Sequence, residues 1–129
     1  YDVTNLRNLF GELFFRGFIV GLSEEIVFRV FPITLLLLVG WKKQINIFKW
    51  NITSAGVISA IIFAYAHIGY NFYPFMVYHF NILQIFTALG LGLFYAIVYK
   101  ETKSIYYPII IHSISDVIPV ISLFIINVI

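Results

Sequence analysis

The chain has 129 residues, of which 61% are hydrophobic and 11% charged, with a net charge of +2, fourteen Phe, nine Tyr and no Cys. A soluble domain of this size leaves too much surface in water to hide such an apolar load, and soluble chains carry roughly 25% charged residues on average. The small, scattered positive charge excludes a nucleic-acid groove, and the missing Cys exclude disulfides and thiolate metal sites, which leaves an integral membrane protein.

The first element is expected over residues 4–16. Asn5, Asn8, Glu12 and Arg16 recur every three or four residues and form a polar stripe, with Leu6, Phe10 and Leu13 elsewhere on the wheel. This pattern predicts an amphipathic helix at the membrane interface or packed on a bundle. Gly17 and Gly21 then permit a bend, so residues 1–22 are expected to form an N-terminal amphipathic unit and 23–129 the core.

The core is expected to be an all-α, polytopic membrane bundle of about four transmembrane helices. Residues 50–99 contain no Asp, Glu, Lys or Arg, and residues 104–129 contain only Asp116. At roughly 20 apolar residues per span these gaps fit two helices and one. Helix one is expected to start at Ser23 as an N-cap and to end at Gly40, with Pro32 inside it. Helix two is expected over 51–67, helix three over 74–99 with Pro74 in its first turn, and helix four from Tyr106 with Pro119 inside. Ala55, Ser59, Ala60, Ala64, Ala88 and Gly92 offer small surfaces for close helix contact. Lys42, Lys43 and Lys49 lie in one loop, and Lys100 and Lys103 in another. Antiparallel helices place both loops on one side, which the positive-inside rule makes cytoplasmic.

Ionisable side chains within apolar spans cost about 2.5–3.5 kcal/mol each on insertion scales, so they point to function. Three clusters qualify. Glu24 and Glu25 precede Arg29, and Glu25 stands four residues before it, the favourable order for an ion pair. Glu24 projects about 100° away round the helix and is left without a local partner, which suits a general base. Phe63 and His67 end helix two. His112 and Asp116 share a face of helix four, where Asp116 can orient the imidazole. His79 reads as an interfacial or packing residue.

Glu24-Glu25-x-x-x-Arg29, Phe63-x-x-x-His67 and His112-x-x-x-Asp116, in this order on separate apolar helices, resemble the CPBP family. That family comprises CAAX proteases and bacteriocin-processing or self-immunity proteins and is also called Abi. The likeness covers about residues 20–120, and Tyr107-Pro108-Ile109 before His112 adds to it. It implies an intramembrane endopeptidase that hydrolyses a peptide bond in a membrane-associated peptide or protein. Glu24 then activates water with help from His67, while His112 and Asp116 support the oxyanion or hold a metal. Glu25 completes the catalytic set, and Arg29 and Phe63 support it. The likeness leaves open a glutamate-dependent or a metallo-protease, the latter with one divalent ion such as zinc on Glu24, His67 and His112.

Expected partners are membrane lipid and either a peptide leader or pheromone precursor or a prenylated CAAX protein, with no nucleic acid. Asp116 stands where prenyl-protein proteases of eukaryotic type carry Asn. With the Ile-, Asn-, Lys- and Tyr-rich usage, it points to a bacterial cell membrane. The alternatives are a non-catalytic bacteriocin self-immunity or peptide-binding protein and a proton or ion conductor built on the same polar chain. One geometric tension accompanies the reading. In a plain antiparallel bundle Glu24 and His67 lie about 24 Å from the Lys side and His112 only about 9 Å. A shared site therefore requires a dipping turn or tilted or broken helices.

Overall fold

The computed structural model describes residues 6–47, 49–73 and 75–128. Among the described residues a helical run covers Leu6 to Leu38 in five consecutive stretches. These are α1 (Leu6–Phe14), a π-helical Phe15–Val20, α2 (Gly21–Glu25), a π-helical Ile26–Val30 and α3 (Phe31–Leu38). The helical run continues without a break through Gly17 and Gly21. Gly21 has right-handed helical dihedrals, and both glycines sit inside the run. Ser23 is no N-cap: it lies within α2 and donates back to the carbonyls of Ile19 and Val20. Glycine is tolerated within membrane helices, and here it serves approach rather than bending. A Cβ on Gly21 would lie 2.4 Å from Ser113 Oγ and 3.3 Å from the Ile109 carbonyl oxygen of the last helix.

The rest of the chain is β1 (Gln44–Ile47), β2 (Trp50–Thr53), α4 (Ser54–Tyr65), β3 (Gly69–Phe72), β4 (Phe75–His79), α5 (Ile82–Thr102) and α6 (Tyr106–Val128). The helical expectation holds for most of the described chain, and two short β-hairpins lie in its connections. Each is antiparallel, with Gln44 opposite Thr53 in the first and Gly69 opposite His79 in the second. Helix two therefore starts at Ser54 rather than residue 51, where Thr53 Oγ1 accepts the Gly56 N–H at 3.0 Å. Helix three starts at Ile82 rather than 74. Asn81 caps it by accepting from the N–H groups of Leu83 and Gln84, and Pro74 lies outside the described residues. The stretch before it is rich in aromatic and β-branched side chains, which favour a strand as readily as an apolar helix.

Helices α5 and α6 are long and apolar enough to cross a membrane over Ile82–Thr102 and Tyr106–Asn127, while α4 is apolar but shorter. Large apolar side chains cover the outside, among them Phe10, Phe31, Leu83, Phe86, Ile118 and Ile126. The interior is narrow. Phe63, Ala64 and Ala88 form its buried centre with Phe28, Ile85 and Leu89 around them. Helices α4 and α5 approach closely because Gly92 faces Ala60. Helix α6 packs along the N-terminal half of the first helical run and against α5, whereas α4 packs against α5 and the C-terminal half of that run.

Unequal helix ends remove part of the depth mismatch, on the Glu24 side. From Arg29 to the end of α3 the rise is about 14 Å, but from the start of α4 to Ser59 it is about 7 Å. Arg29 and Ser59 are nevertheless in contact. Helix α3 thus overshoots its neighbours, and residues 39–43 bring the chain back to the β1–β2 hairpin. At the same end Lys100 Nζ donates to the Asn51 carbonyl at 2.8 Å, so both Lys-bearing loops meet on one side.

The Gly92 contact sets the α4–α5 distance, since an added Cβ would lie 3.2 Å from Ala60 and Phe63. Gly92→Val is expected to destabilise the protein by about 1–3 kcal/mol through overpacking, read as a lower unfolding midpoint in detergent.

Candidate active site

The site begins with a buried ion pair. Glu25 and Arg29 are both 0% exposed, and the guanidinium grips the carboxylate with two bonds of 3.1 Å, from Nε to Oε2 and from Nη2 to Oε1. The third nitrogen, Nη1, donates to Ser59 Oγ on α4 at 2.9 Å. Ser59 in turn donates to the carbonyl of Phe28. Four residues after Phe28 stands Pro32, which has no N–H to give that carbonyl. The proline withholds the i+4 bond, and a serine on the next helix donates to that carbonyl.

Glu25 also holds the imidazole. Its Oε1 accepts from His112 Nδ1–H at 2.9 Å, joining α6 to the pair. The ring is nearly buried, stacked on Tyr95 with centroids 5.0 Å apart and edge-on to Phe63 at 5.6 Å. The other nitrogen, Nε2, faces Glu24 Oε2 at 3.7 Å and Asp116 Oδ2 at 3.8 Å. Glu25, not Asp116, therefore orients His112. Two adjacent carboxylates on one helix reach opposite nitrogens of one ring, which the sequence alone did not pair.

His67 follows α4, and its side chain turns back on the helix. Nδ1–H donates to the Phe63 carbonyl at 2.9 Å, and the ring packs edge-on against Phe63. A carbonyl only accepts, so the proton of the neutral ring sits on Nδ1 and the lone pair on Nε2 is left to accept. Phe63 thus touches both histidines and lies under the Arg29 guanidinium, 5.6 Å from ring centroid to Cζ.

Glu24, His67, His112 and Asp116 line one cavity of about 410 Å³ together with Arg16, Gln84, Tyr95 and Ser115. A second cavity of about 610 Å³ lies beneath the β3–β4 hairpin and shares Glu24, His67 and Gln84 with the first. His79, expected to be interfacial, lines this second cavity, and its Nε2–H donates to Gln84 Oε1 at 3.0 Å. The side chain of Glu24 retains 32% exposure. It stands where the two cavities meet, open to water on one side and to the imidazoles on the other.

Sequence reading passed over Ser59, Tyr95 and Ser115. Ser59 counted only as a small packing residue, although a hydroxyl among alanines was a signal. Tyr95 donates to Ser115 Oγ at 3.0 Å and forms the floor under His112, a contact that no motif marks. The proposed metal set fares differently. Among the described residues no group of three His, Asp or Glu side chains is arranged to hold an ion, and with Nδ1 bonded to Glu25 His112 keeps only Nε2 for one.

Removing one partner of a fully buried pair strands the other charge. Arg29→Met is expected to cost about 3–5 kcal/mol and to abolish stable expression or lower the unfolding midpoint sharply. Arg29→Lys keeps the charge but loses the fork that binds Glu25 and Ser59 together, and is expected to fall between the two.

A family model described as Type II CAAX prenyl endopeptidase Rce1-like matches residues 6–118. No curated protein and no solved structure matches the chain. The match spans most of the chain, so the chain belongs to the Rce1-like type II CAAX prenyl endopeptidase family of integral membrane proteases.

Proposed function

We propose that this chain is an intramembrane endopeptidase in which Glu24 activates the attacking water. The observation that carries the reading is the unequal treatment of neighbouring carboxylates. Glu25 is consumed by Arg29 and His112, while Glu24 faces a cavity shared with His67, His112 and Asp116. A base must be reachable by water and close to the groups that receive developing charge, and Glu24, which lines both cavities beside His112, meets both conditions.

Glu24 takes a proton from water as the hydroxide adds to the scissile carbonyl carbon, and the carbonyl π pair becomes the oxyanion. His112, held at Nδ1 by Glu25, presents Nε2–H to that oxygen when doubly protonated. Its fixed ring makes it a donor that needs no rearrangement in the transition state. Collapse of the intermediate breaks the C–N bond, and the leaving nitrogen takes the proton that Glu24 received. His67, with its lone pair on Nε2, accepts from water or substrate and aids positioning. Asp116 holds the far side of His112. The helical run 6–38 and α4 complete the bundle around the two longer spans, with the Lys-bearing end cytoplasmic. The substrate is a membrane-associated peptide or protein.

The non-catalytic immunity reading shares the cavity but not the need for Glu24. Purified protein is to be assayed for cleavage of a prenylated CAAX peptide and a leader-type peptide in detergent. Glu24→Gln is expected to lower kcat by about 10²–10⁴-fold with the fold retained. Chelator is expected to leave the wild-type rate unchanged. Cleavage that persists in Glu24→Gln, or that stops with chelator and returns with zinc, refutes the mechanism. Peptide binding without turnover supports the immunity reading.

A further inference from the structure

We infer that the lysine-bearing end of the bundle holds a site for an anionic phospholipid, with its phosphate on Lys103 and Lys100 and the upper part of its chains against α3 and α5. A cavity of about 240 Å³ lies there and shares no residue with the two cavities at Glu24. Its apolar wall is Ile33 and Leu37 of α3 and Ala96 of α5. Thr53, Tyr99 and the two lysines form the polar rim. The catalytic reading gives this cavity no task.

A ligand for this cavity must be charged at one end and apolar at the other. Helix α5 is long and apolar enough to cross a membrane over Ile82–Thr102. That sets Lys100 in the last turn of the span and Lys103 just past it, at the depth of lipid headgroups. Ala96, one turn before Lys100, and Ile33 are buried and lie deeper. Lysines that end a membrane helix often reach the interface and bind nothing. What marks this pair is the apolar-walled cavity beneath them. Its volume falls below the roughly 300–1,000 Å³ of pockets that enclose a whole small ligand. It therefore takes part of a molecule whose remainder lies outside, in the bilayer.

Charge gives the site its sign. All five lysines of the chain, Lys42, Lys43, Lys49, Lys100 and Lys103, belong to the two loops that meet at this end, and Glu101 is the one acid in those loops. Lys43 is held beside the cavity, because its carbonyl accepts the Ser54 N–H at 2.8 Å, next to Thr53. Lys100 Nζ donates to the Asn51 carbonyl at 2.8 Å and to Glu101 at 3.2 Å. Those bonds fix the ammonium and leave its third N–H. Lys103 Nζ has no partner among the described residues, so its three N–H groups are available. A phosphate at the rim thus meets two ammoniums, with the hydroxyl residues Thr53 and Tyr99 on the same wall. A zwitterionic headgroup brings its own cation into the field of the lysines, so the site selects an anionic lipid over a neutral one.

The test reads the unfolding midpoint of the full chain in neutral detergent with phosphatidylglycerol or, at equal concentration, phosphatidylcholine. Wild type is expected to gain about 3–6 °C with the first and under about 1 °C with the second. Inorganic phosphate and glycerol phosphate are expected to give no gain. A gain from either that equals the lipid's assigns the rim to a soluble phosphate and overturns the lipid. Lys103 has φ 52°, a left-handed backbone that Asn also suits, so Lys103→Asn removes the charge with the fold retained. It is expected to lose most of the gain. Lys49→Asn removes the same charge outside the cavity and is expected to keep the gain. Leu37→Trp keeps every charge but fills the apolar wall, and is expected to lose the gain. Equal gains from the two lipids, or a gain unchanged in Lys103→Asn, overturn the site. So does an equal loss in Lys49→Asn and Lys103→Asn, because diffuse attraction then accounts for the gain. Should Leu37→Trp fail to fold, mass spectrometry of the intact protein decides. Phosphatidylglycerol retained by wild type and lost from Lys103→Asn sustains the site, and equal retention by both overturns it.

Discussion

The fully buried Glu25–Arg29 pair is the contact on which the other polar groups depend. A buried ion pair repays its desolvation only when the geometry is good and the remaining donors and acceptors are satisfied. Here the guanidinium spends two nitrogens on Glu25 and one on Ser59, and Glu25 spends its remaining capacity on His112. The pair lies within one helical run, but its satisfaction requires α4 and α6. Three separate segments are therefore locked in register by the need to leave no charge unpaired in an apolar medium. Lipid raises the stakes, because no water reaches Arg29 to substitute for a lost partner.

From that lock follows the difference between two neighbouring glutamates. A helix places consecutive side chains about 100° apart, so both cannot face the same partner. One turns into the network and becomes structural. The other turns to the cavity rim and stays outside the ion pair. The imidazole spans the gap because its two nitrogens point in opposite directions, Nδ1 to Glu25 and Nε2 towards Glu24 and Asp116. Tyr95 and Phe63 then fix the ring plane by stacking and edge contact, an aromatic frame that needs no further hydrogen bond to hold it.

The membrane environment also explains what the fold does without. Its buried centre is small, and much of its apolar surface faces outward. Lipid covers that surface, so close helix approach rests on small residues such as Gly92 and Gly21 rather than on a large core. The hairpins sit in the connections, where backbone groups need internal partners if they approach the apolar layer. The β3–β4 hairpin meets that need and also roofs the cavity that opens on Glu24 and His67.

By itself the sequence determined the solvent, the order of the chemistry-bearing motifs and the pairing of Glu25 with Arg29. Each of these is local: apolar runs without charge, and side chains four apart on one helix. The start of α6 near Tyr106 was legible for the same reason. The hairpins were not, because apolar aromatic residues such as Tyr70, Phe75 and Tyr78 fit a strand and a membrane helix alike. The uninterrupted run through Gly17 and Gly21 was hidden too, since glycine marks a bend or a close contact and only the neighbouring helix distinguishes them. Tertiary structure alone decided that His112 answers to Glu25, that Ser59 donates to the carbonyl of Phe28, and that Arg16 looks into the cavity. Those contacts join residues dozens of positions apart or place a side chain relative to a distant helix, and hydrophobic periodicity carries no record of what lies across the bundle.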